Sequence, residues 1–327
     1  MPSPLKPPAL RPGDAIRIVS LATPVEESRL DAGCAELTRL GYAPKLDRSQ
    51  VLARDGFFAG SASSRWLALK AALAEKDSAA IFCARGGYGS NYILDEFAPS
   101  AAASPRPKIL LGYSDITSLQ IFLWQKFRHV TFYGPMVASG FDHGPAAPKG
   151  YDRDSLMHAL AEIQRGWTID LRGEALNSGA AEGTLVGGCL TLVLATLGTP
   201  WELDTTDSIL LLEDRDMKPY QVDRALMHLK QAGKLKSVRG IILGDFPGHE
   251  APPGSETVRD VARRILLPLE RGGSSPRPIV FGAAFGHTER PMLTIPLGVR
   301  ARLTAAAAAP SGGRSRTQLE ILEPAVA

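Results

Sequence analysis

The sequence predicts an α/β protein built on a parallel sheet. Three observations carry that reading. Short apolar runs alternate with segments of helical spacing through the first half of the chain, and glycine-rich turns follow several of the runs. The composition, 44% hydrophobic and 22% charged over 327 residues, describes a globular chain long enough for two domains of ordinary size. Such alternation covers a sheet with helices and leaves the loops at the carboxyl ends of the strands to form a site.

Taken in order, Arg11-Pro12-Gly13-Asp14 reads as a turn after a proline-rich lead, and residues 15–21 as a strand. Residues 26–40 have helical spacing (Leu30, Cys34, Leu37, Leu40) and stop at Gly41, where a C-cap glycine belongs. A helix over 63–75, a strand over 78–84, a glycine loop and a helix over 90–96 repeat the pattern. Ile109-Leu110-Leu111 then reads as a buried strand broken by Gly112; Ser114 follows, and a helix carrying Ile116, Leu119, Ile121 and Leu123 leaves.

From about Ser139 to Ser178 the composition shifts to Gly, Pro, His and Lys around one helix, 155–165. This predicts a first domain over 1–145, a linker over 146–180 and a second domain over 181–327. In the second, a glycine-rich run from Gly183 to Leu192 passes into helical spacing as far as Leu197, and Gly198-Thr199-Pro200 turns. A strand over 208–212 ends in Glu213-Asp214, a helix covers 220–232, and strands follow over 238–243 and 279–282. Residues 292–303 read as strand, turn at Pro296-Leu297-Gly298, strand, and 317–322 as a last strand. The alanine, glycine and serine stretch 305–316 is expected to be a mobile hairpin loop without chemistry.

The totals exclude several classes. A net charge of +3 with dispersed Lys and Arg, and no basic run interleaved with aromatics, argues against a nucleic-acid partner. The first residues lack the apolar stretch of a secretion signal, and no window approaches 18 apolar residues, so the expected compartment is the cytoplasm, with no membrane partner. Cys34, Cys83 and Cys189 lie far apart, two of them in apolar runs, which suits reduced thiols better than a disulfide or a metal site. Spacing alone leaves a cysteine nucleophile open.

The chemistry-bearing candidates sit at strand ends. A serine at a helix N-terminus has unpaired backbone N–H groups beside it, which with the helix dipole can hold the oxyanion formed when its hydroxyl attacks a carbonyl. Ser114 equally suits a plain N-cap with Asp115 favouring the first turn, and Ile116 departs from the G-x-S-x-G elbow. The loop Arg85-Gly86-Gly87-Tyr88-Gly89-Ser90 lacks the third glycine of a dinucleotide fingerprint, since position 92 is Tyr. It suits close backbone approach to a substrate, or simply a tight turn.

Of the histidines His129, His143, His158, His228, His249 and His287, the last stands apart, because it follows a glycine at a strand end beside Thr288, Glu289 and Arg290. Glu213 ends a wholly apolar strand, where a carboxylate is costly unless exposed or paired. Each alone is also an ordinary structural residue. Together, Ser114, Glu213 and His287 supply a hydroxyl, an acid and an imidazole, the three parts of an activated serine nucleophile.

These residues lie in segments that match a family nearly end to end. The segments are Arg11-Pro12-Gly13-Asp14, Arg85-Gly86-Gly87-Tyr88-Gly89, Pro107-Lys108 with Gly112-Tyr113-Ser114-Asp115-Ile116-Thr117, Gly134-Pro135-Met136, Gly198-Thr199-Pro200, Leu212-Glu213-Asp214 with Tyr220 and Val222-Asp223-Arg224, and Gly286-His287 with Pro296-Leu297-Gly298. With them the chain resembles the L,D-carboxypeptidase family of serine peptidases, S66, which includes muramoyltetrapeptide carboxypeptidases.

The resemblance implies that Ser114 is the nucleophile, His287 the general base and Glu213 its orienting acid. It implies backbone oxyanion donors, placed here at Asp115 and Gly87, and substrate contacts placed at Arg85, Tyr88 and Arg224, the two arginines as grips for a free carboxylate. It further implies a flavodoxin-like or amidotransferase-like N-terminal domain with a smaller β-rich α+β C-terminal domain. The nucleophile would come from the first and the other two members from the second, so that domain packing assembles the site. A murein peptide substrate, no metal or other cofactor, and a homodimer complete the expectation.

Tyr133 stands where the family often has His, Cys189 where Asn is common, and Met217 to Pro219 departs from the usual acidic stretch. The expected activity is release of terminal D-alanine from murein tetrapeptides. A same-family hydrolase of microcin-like aminoacyl-nucleotides and a non-catalytic binder of cell-wall peptides are the alternatives.

Overall fold

A computed structural model describes residues 3–100, 104–162, 165–248, 254–269, 276–308 and 315–327. The chain divides into two compact units: Met1–Gln164 with Arg290–Gly298 and Pro324–Ala327, and Arg165–Glu289 with Val299–Glu323.

Along the chain run β1 (Ala15–Val19), α1 (Glu27–Arg39), β2 (Ala43–Lys45), α2 (Arg48–Val51), α3 (Ala62–Ala74), β3 (Ala80–Cys83), α4 (Ser90–Ser100) and β4 (Ile109–Gly112). A 3-10 turn over Ser114–Ile116 leads into α5 (Thr117–Phe127), followed by β5 (Thr131–Tyr133) and α6 (Arg153–Leu160). The second unit holds β6 (Trp167–Asp170), β7 (Glu174–Asn177), β8 (Gly179–Cys189), α7 (Leu190–Ala195), β9 (Ser208–Glu213), α8 (Pro219–Gln231), β10 (Gly240–Gly244), α9 (Val258–Leu266) and β11 (Ile279–Ala283). The chain then adds β12 (Ile295–Leu297) to the first unit and β13 (Arg300–Ala306) and β14 (Arg316–Ile321) to the second.

The first unit's sheet has the order β12-β5-β4-β3-β1-β2, parallel throughout except for β12. Every residue of β3 and β4 is buried, as continuous apolar runs in a sheet covered on both faces must be. Their carboxyl ends lead into the two loops singled out above: β3 into Arg85–Ser90 and β4 into Tyr113-Ser114.

The second unit's sheet has the order β6-β14-β13-β8-β9-β10-β11-β7. Its centre, β8 to β11, is parallel, and its flanking pairs are antiparallel. All six residues of β9 are buried, Glu213 at its carboxyl end included. An α/β unit on a largely parallel sheet and a second unit with mixed pairing agree with the predicted fold class.

The structure departs from the sequence reading in three places. Residues 146–180, expected as a linker, carry α6 in the first unit and β6 and β7 in the second. Their Gly and Pro mark turns between short elements, and β6 is an edge strand whose burial alternates, too brief to stand out. The strands around Pro296-Leu297-Gly298 are no hairpin: β12 pairs with β5, whereas β13 pairs with β8 and β14. The alanine-rich stretch lies partly in β13 and β14, and its residues 309–314 fall outside the described residues, as does His249.

Candidate active site

In the first unit the candidate nucleophile sits at a left-handed backbone angle. Ser114 has φ +61°, the left-handed conformation that non-glycine residues adopt at a cost of about 1–2 kcal/mol. It follows a strand and opens a helix, the arrangement that lifts a nucleophile's side chain clear of the backbone. The plain N-cap reading fares poorly, since the residue in cap position is Tyr113 and Ser114 makes no capping bond there.

Tyr133 holds the turn from below. Its fully buried phenol oxygen accepts the Ser114 backbone N–H at 3.2 Å. That bond occupies the Ser114 amide and leaves the neighbouring amides as the candidate donors for an oxyanion. The adjoining amide, Asp115, is at the start of a helical turn, where N–H groups have no intrahelical acceptor.

The glycine loop lies against this turn. A Cβ at Gly86 would come within 3.1 Å of Ser114 Cβ, a tight approach that would need the turn to give by a few tenths of an ångström. Gly87 has φ +113°, and a side chain there would collide with Thr23. Thr23 Oγ1 instead accepts the Tyr88 N–H at 2.9 Å, and the Thr23 N–H reaches Gly86 O at 3.3 Å.

Asp115 ties loop and turn together. Its buried carboxylate accepts the Ser90 N–H at 2.7 Å, while Ser90 Oγ donates to Asp115 O at 2.5 Å. Burial raises the Asp115 pKa against the lowering effect of the Ser90 and Gly89 bonds and the Arg65 charge. Arg65, itself 1% exposed, donates from Nη1 to Leu21 O at 2.8 Å and to Gly89 O at 2.6 Å, and from Nε to Gly60 O at 3.1 Å. Three loops are thereby fastened to one buried cation.

The second unit brings Glu213 and His287 together. Glu213 Oε2 accepts both the His287 backbone N–H and Nδ1, each at 2.8 Å. The carboxylate is wholly buried and the imidazole side chain 11% exposed. Gly286 makes this possible: it has φ +64°, and a Cβ would lie 2.3 Å from Glu213 Cδ. Gly244, on the neighbouring strand, would meet Glu213 Cβ at 2.6 Å. Thr288 Oγ1 donates to Asp245 Oδ2, which fixes the turn after His287.

Burial works against the imidazolium, but the Glu213 charge and hydrogen bond, with help from Asp214, outweigh it, and His287 titrates above its ordinary 6.5. With Nδ1–H held by the carboxylate, the neutral tautomer keeps Nε2 as the proton acceptor.

The remaining candidates are placed as follows. Arg85 is half-buried and gives one bond, Nη1 to Pro24 O at 3.3 Å. Tyr88 is exposed on the glycine loop. Arg224 is exposed on α8 with its guanidinium 5.6 Å from the centre of the Tyr220 ring. The thiols are poor nucleophiles: burial pushes Cys34 up to about 11 and raises Cys83 and Cys189 well above the ordinary thiol value, the last also through Glu213 and Asp214. Among the described residues no cluster of His, Cys, Asp and Glu could hold a metal ion, and no helix is long and apolar enough to cross a membrane. Sequence reasoning missed Thr23 and Arg65, and noted Tyr133 only as a departure from the family pattern; their contacts join residues far apart in sequence.

Comparison with known proteins gives a consistent relationship. The LD-carboxypeptidase N-terminal domain matches residues 16–134, and the LD-carboxypeptidase C-terminal domain matches 182–303. A probable murein peptide carboxypeptidase of Bacillus subtilis is 34% identical over 92% of this chain and 92% of its own length. The microcin C7 self-immunity protein of Escherichia coli is 27% identical over 88% of this chain and 90% of its own. The crystal structure of a muramoyltetrapeptide carboxypeptidase from Oxalobacter formigenes superposes with a TM-score of 0.79 at 26% identity, over 94% of this chain and 99% of that one.

Proposed function

Since the chain belongs to the LD-carboxypeptidase family and is thereby a serine-type carboxypeptidase, we propose that it releases the terminal D-alanine from murein tetrapeptides, in the cytoplasm, by a Ser114-His287-Glu213 mechanism. The observation that carries the reading is the strained Ser114 on its strand-to-helix turn, a conformation that serves a nucleophile and has no evident structural use.

In this mechanism His287 Nε2 takes the Ser114 hydroxyl proton as Oγ attacks the carbonyl between the L-configured third residue and D-alanine. The tetrahedral oxyanion is met by the amides of Asp115 and Gly87. Collapse breaks the C–N bond, His287 returns the proton to the departing amine, and D-alanine leaves. Water, deprotonated by the same imidazole, then attacks the acyl-enzyme and regenerates Ser114. Glu213 holds the imidazole's tautomer and stabilises its cation throughout. Arg85, beside the glycine loop and with guanidinium donors beyond its bond to Pro24, is assigned to grip the D-alanine carboxylate. The reaction requires no cofactor.

The test is release of D-alanine from L-Ala-γ-D-Glu-meso-diaminopimelyl-D-Ala by wild type and Ser114→Ala. Release by wild type alone is expected; release by both, or by neither, overturns the proposal. The likeness to the microcin self-immunity protein supports a second reading, hydrolysis of an aminoacyl-nucleotide. An aminoacyl-sulfamoyl-adenosine offered in the same assay decides between them.

A further inference from the structure

The first unit's sheet has a second end. The loops that carry Ser114 lie at the carboxyl ends of β3 and β4, whereas at the amino ends a cavity of 420 Å³ opens between the segment before β1, the connection from α3 to β3 and the segment before β4. Small-molecule sites span roughly 300–1,000 Å³, so the size is that of a ligand site. Lys108 enters β4 and Ser114 follows it, with up to about 20 Å of extended chain between them, which separates the cavity from the candidate active site.

The charges around this cavity do not balance. Arg11, Lys76, Arg106 and Lys108 line it together with Asp14 and Asp77. Lys108 is buried and fully engaged: Nζ donates to Ala72 O at 2.7 Å, to Ser78 Oγ at 2.9 Å and to Glu75 O, closing the end of α3. The acids at this end are engaged too. Asp77 accepts from Lys45 Nζ at 2.7 Å, Glu75 from Arg17 Nε at 2.8 Å, and Asp14 from the Arg11 backbone N–H at 2.8 Å. Among the described residues no acid pairs with the side chains of Arg11, Lys76 or Arg106, all exposed. They come from segments far apart in sequence, so the fold itself gathers like charges around one hollow. That gathering is unfavourable unless an anion offsets it.

We propose that the cavity binds a small molecule bearing a multiply charged phosphate group, held by Arg11, Lys76 and Arg106. A carboxylate carries one charge and is satisfied by a single guanidinium. A phosphate monoester carries about −1.5 to −2 at neutral pH and offers three acceptor oxygens, which suits cations arriving from separate segments. Arg11 and Arg106 supply forked donors and Lys76 a point charge.

The experiment is titration calorimetry of the full chain with sodium pyrophosphate, and with sodium acetate at matched ionic strength as control. Wild type should bind pyrophosphate with a Kd below about 1 mM and acetate at least roughly 10-fold more weakly. The double variant Lys76→Ala/Arg106→Ala should weaken pyrophosphate binding by at least roughly 10-fold, the worth of one charge-assisted contact. Lys76→Arg, which keeps the charge, should bind within a few-fold of wild type. Both positions are exposed and outside the candidate active site, so thermal melts and D-alanine release of the variants should match wild type. No binding of pyrophosphate by wild type, equal binding of acetate, or binding unchanged in the double variant overturns the proposal; the last result would place the anion elsewhere on the molecule.

Discussion

Replacing Glu213 by Gln separates the charge of the acid from its geometry. Glu213 Oε2 is the acceptor for both His287 N and Nδ1, and an amide oxygen in the same place can accept the same two bonds. The side chain is fully buried, so no water compensates for the lost charge. What changes is the imidazolium: its field from Glu213, which outweighs burial and raises the His287 pKa above 6.5, disappears. Burial, opposed now only by Asp214 and the retained hydrogen bond, then drives that pKa down. A base must be neutral to accept a proton, so the acidic limb of kcat/KM in wild type should fall above pH 6.5 and move to lower pH in Glu213→Gln. The plateau should drop by roughly 10⁴-fold, the loss seen when a buried triad acid becomes an amide. The linkage to stability has a definite sign. Because the folded pKa is raised, the ion pair contributes fully below pH 6.5 and is lost as pH rises through the folded value. The variant should therefore lose most stability on the acid side of that window. The assay is D-alanine release across pH 5 to 9 with a denaturant melt at each pH. An acidic limb that stays in place, or a plateau within 10-fold of wild type, would refute the role given to the pair.

Other outcomes follow from the same contacts. Ser114→Ala should lower kcat by roughly 10⁶-fold, and Ser114→Gly, equally inactive, should be more stable than Ser114→Ala by about 1 kcal/mol in urea melts, because glycine meets no penalty at φ +61°. Gly286→Ala should abolish activity with the Ser114 turn intact, since a Cβ 2.3 Å from Glu213 Cδ must displace the carboxylate; D-alanine release at more than a tenth of the wild-type rate would contradict this. Alkylation by iodoacetamide at pH 8 should leave activity unchanged, as burial keeps all three cysteines protonated. His129, bonded through Nε2 to Ser104 and lowered by burial to about 4, is neutral when folded. Stability should fall as pH drops from 6.5 towards 4, and the slope should be shallower in His129→Phe.

The sequence discloses the candidate residues better than it discloses their supports. Buried parallel strands announce themselves as uninterrupted apolar runs, which is why β3, β4 and β9 and the residues just past them were legible. Ser114, Glu213 and His287 then stood out as polar groups at ends where apolar runs stop. Thr23, Arg65 and Tyr133 carry no such mark. Arg65 sits on a helix of ordinary pattern, and its burial follows from three carbonyls contributed by loops at Leu21, Gly60 and Gly89, which no local period encodes. For the same reason β12 could not be assigned to the first sheet: its partner, β5, lies over 150 residues upstream, and only the pairing reveals it.

The glycines show how each unit accommodates the cost of its own candidate residue. Ser114 is held in a strained conformation, Gly86 keeps the loop from crowding it, and Gly87 removes a side chain that would collide with Thr23. Glu213 is a charge without solvent, and Gly244 and Gly286 clear the volume it fills while the Gly286 turn delivers two N–H donors from one residue, His287. In both places the energetic cost sits on the reactive residue, and its neighbours are the smallest available. A structural serine or glutamate would gain nothing from such surroundings, because relaxing φ or exposing the carboxylate would stabilise the fold. Strain at one position and a buried charge at another are therefore consistent with the proposed nucleophile and the proposed acid behind its base.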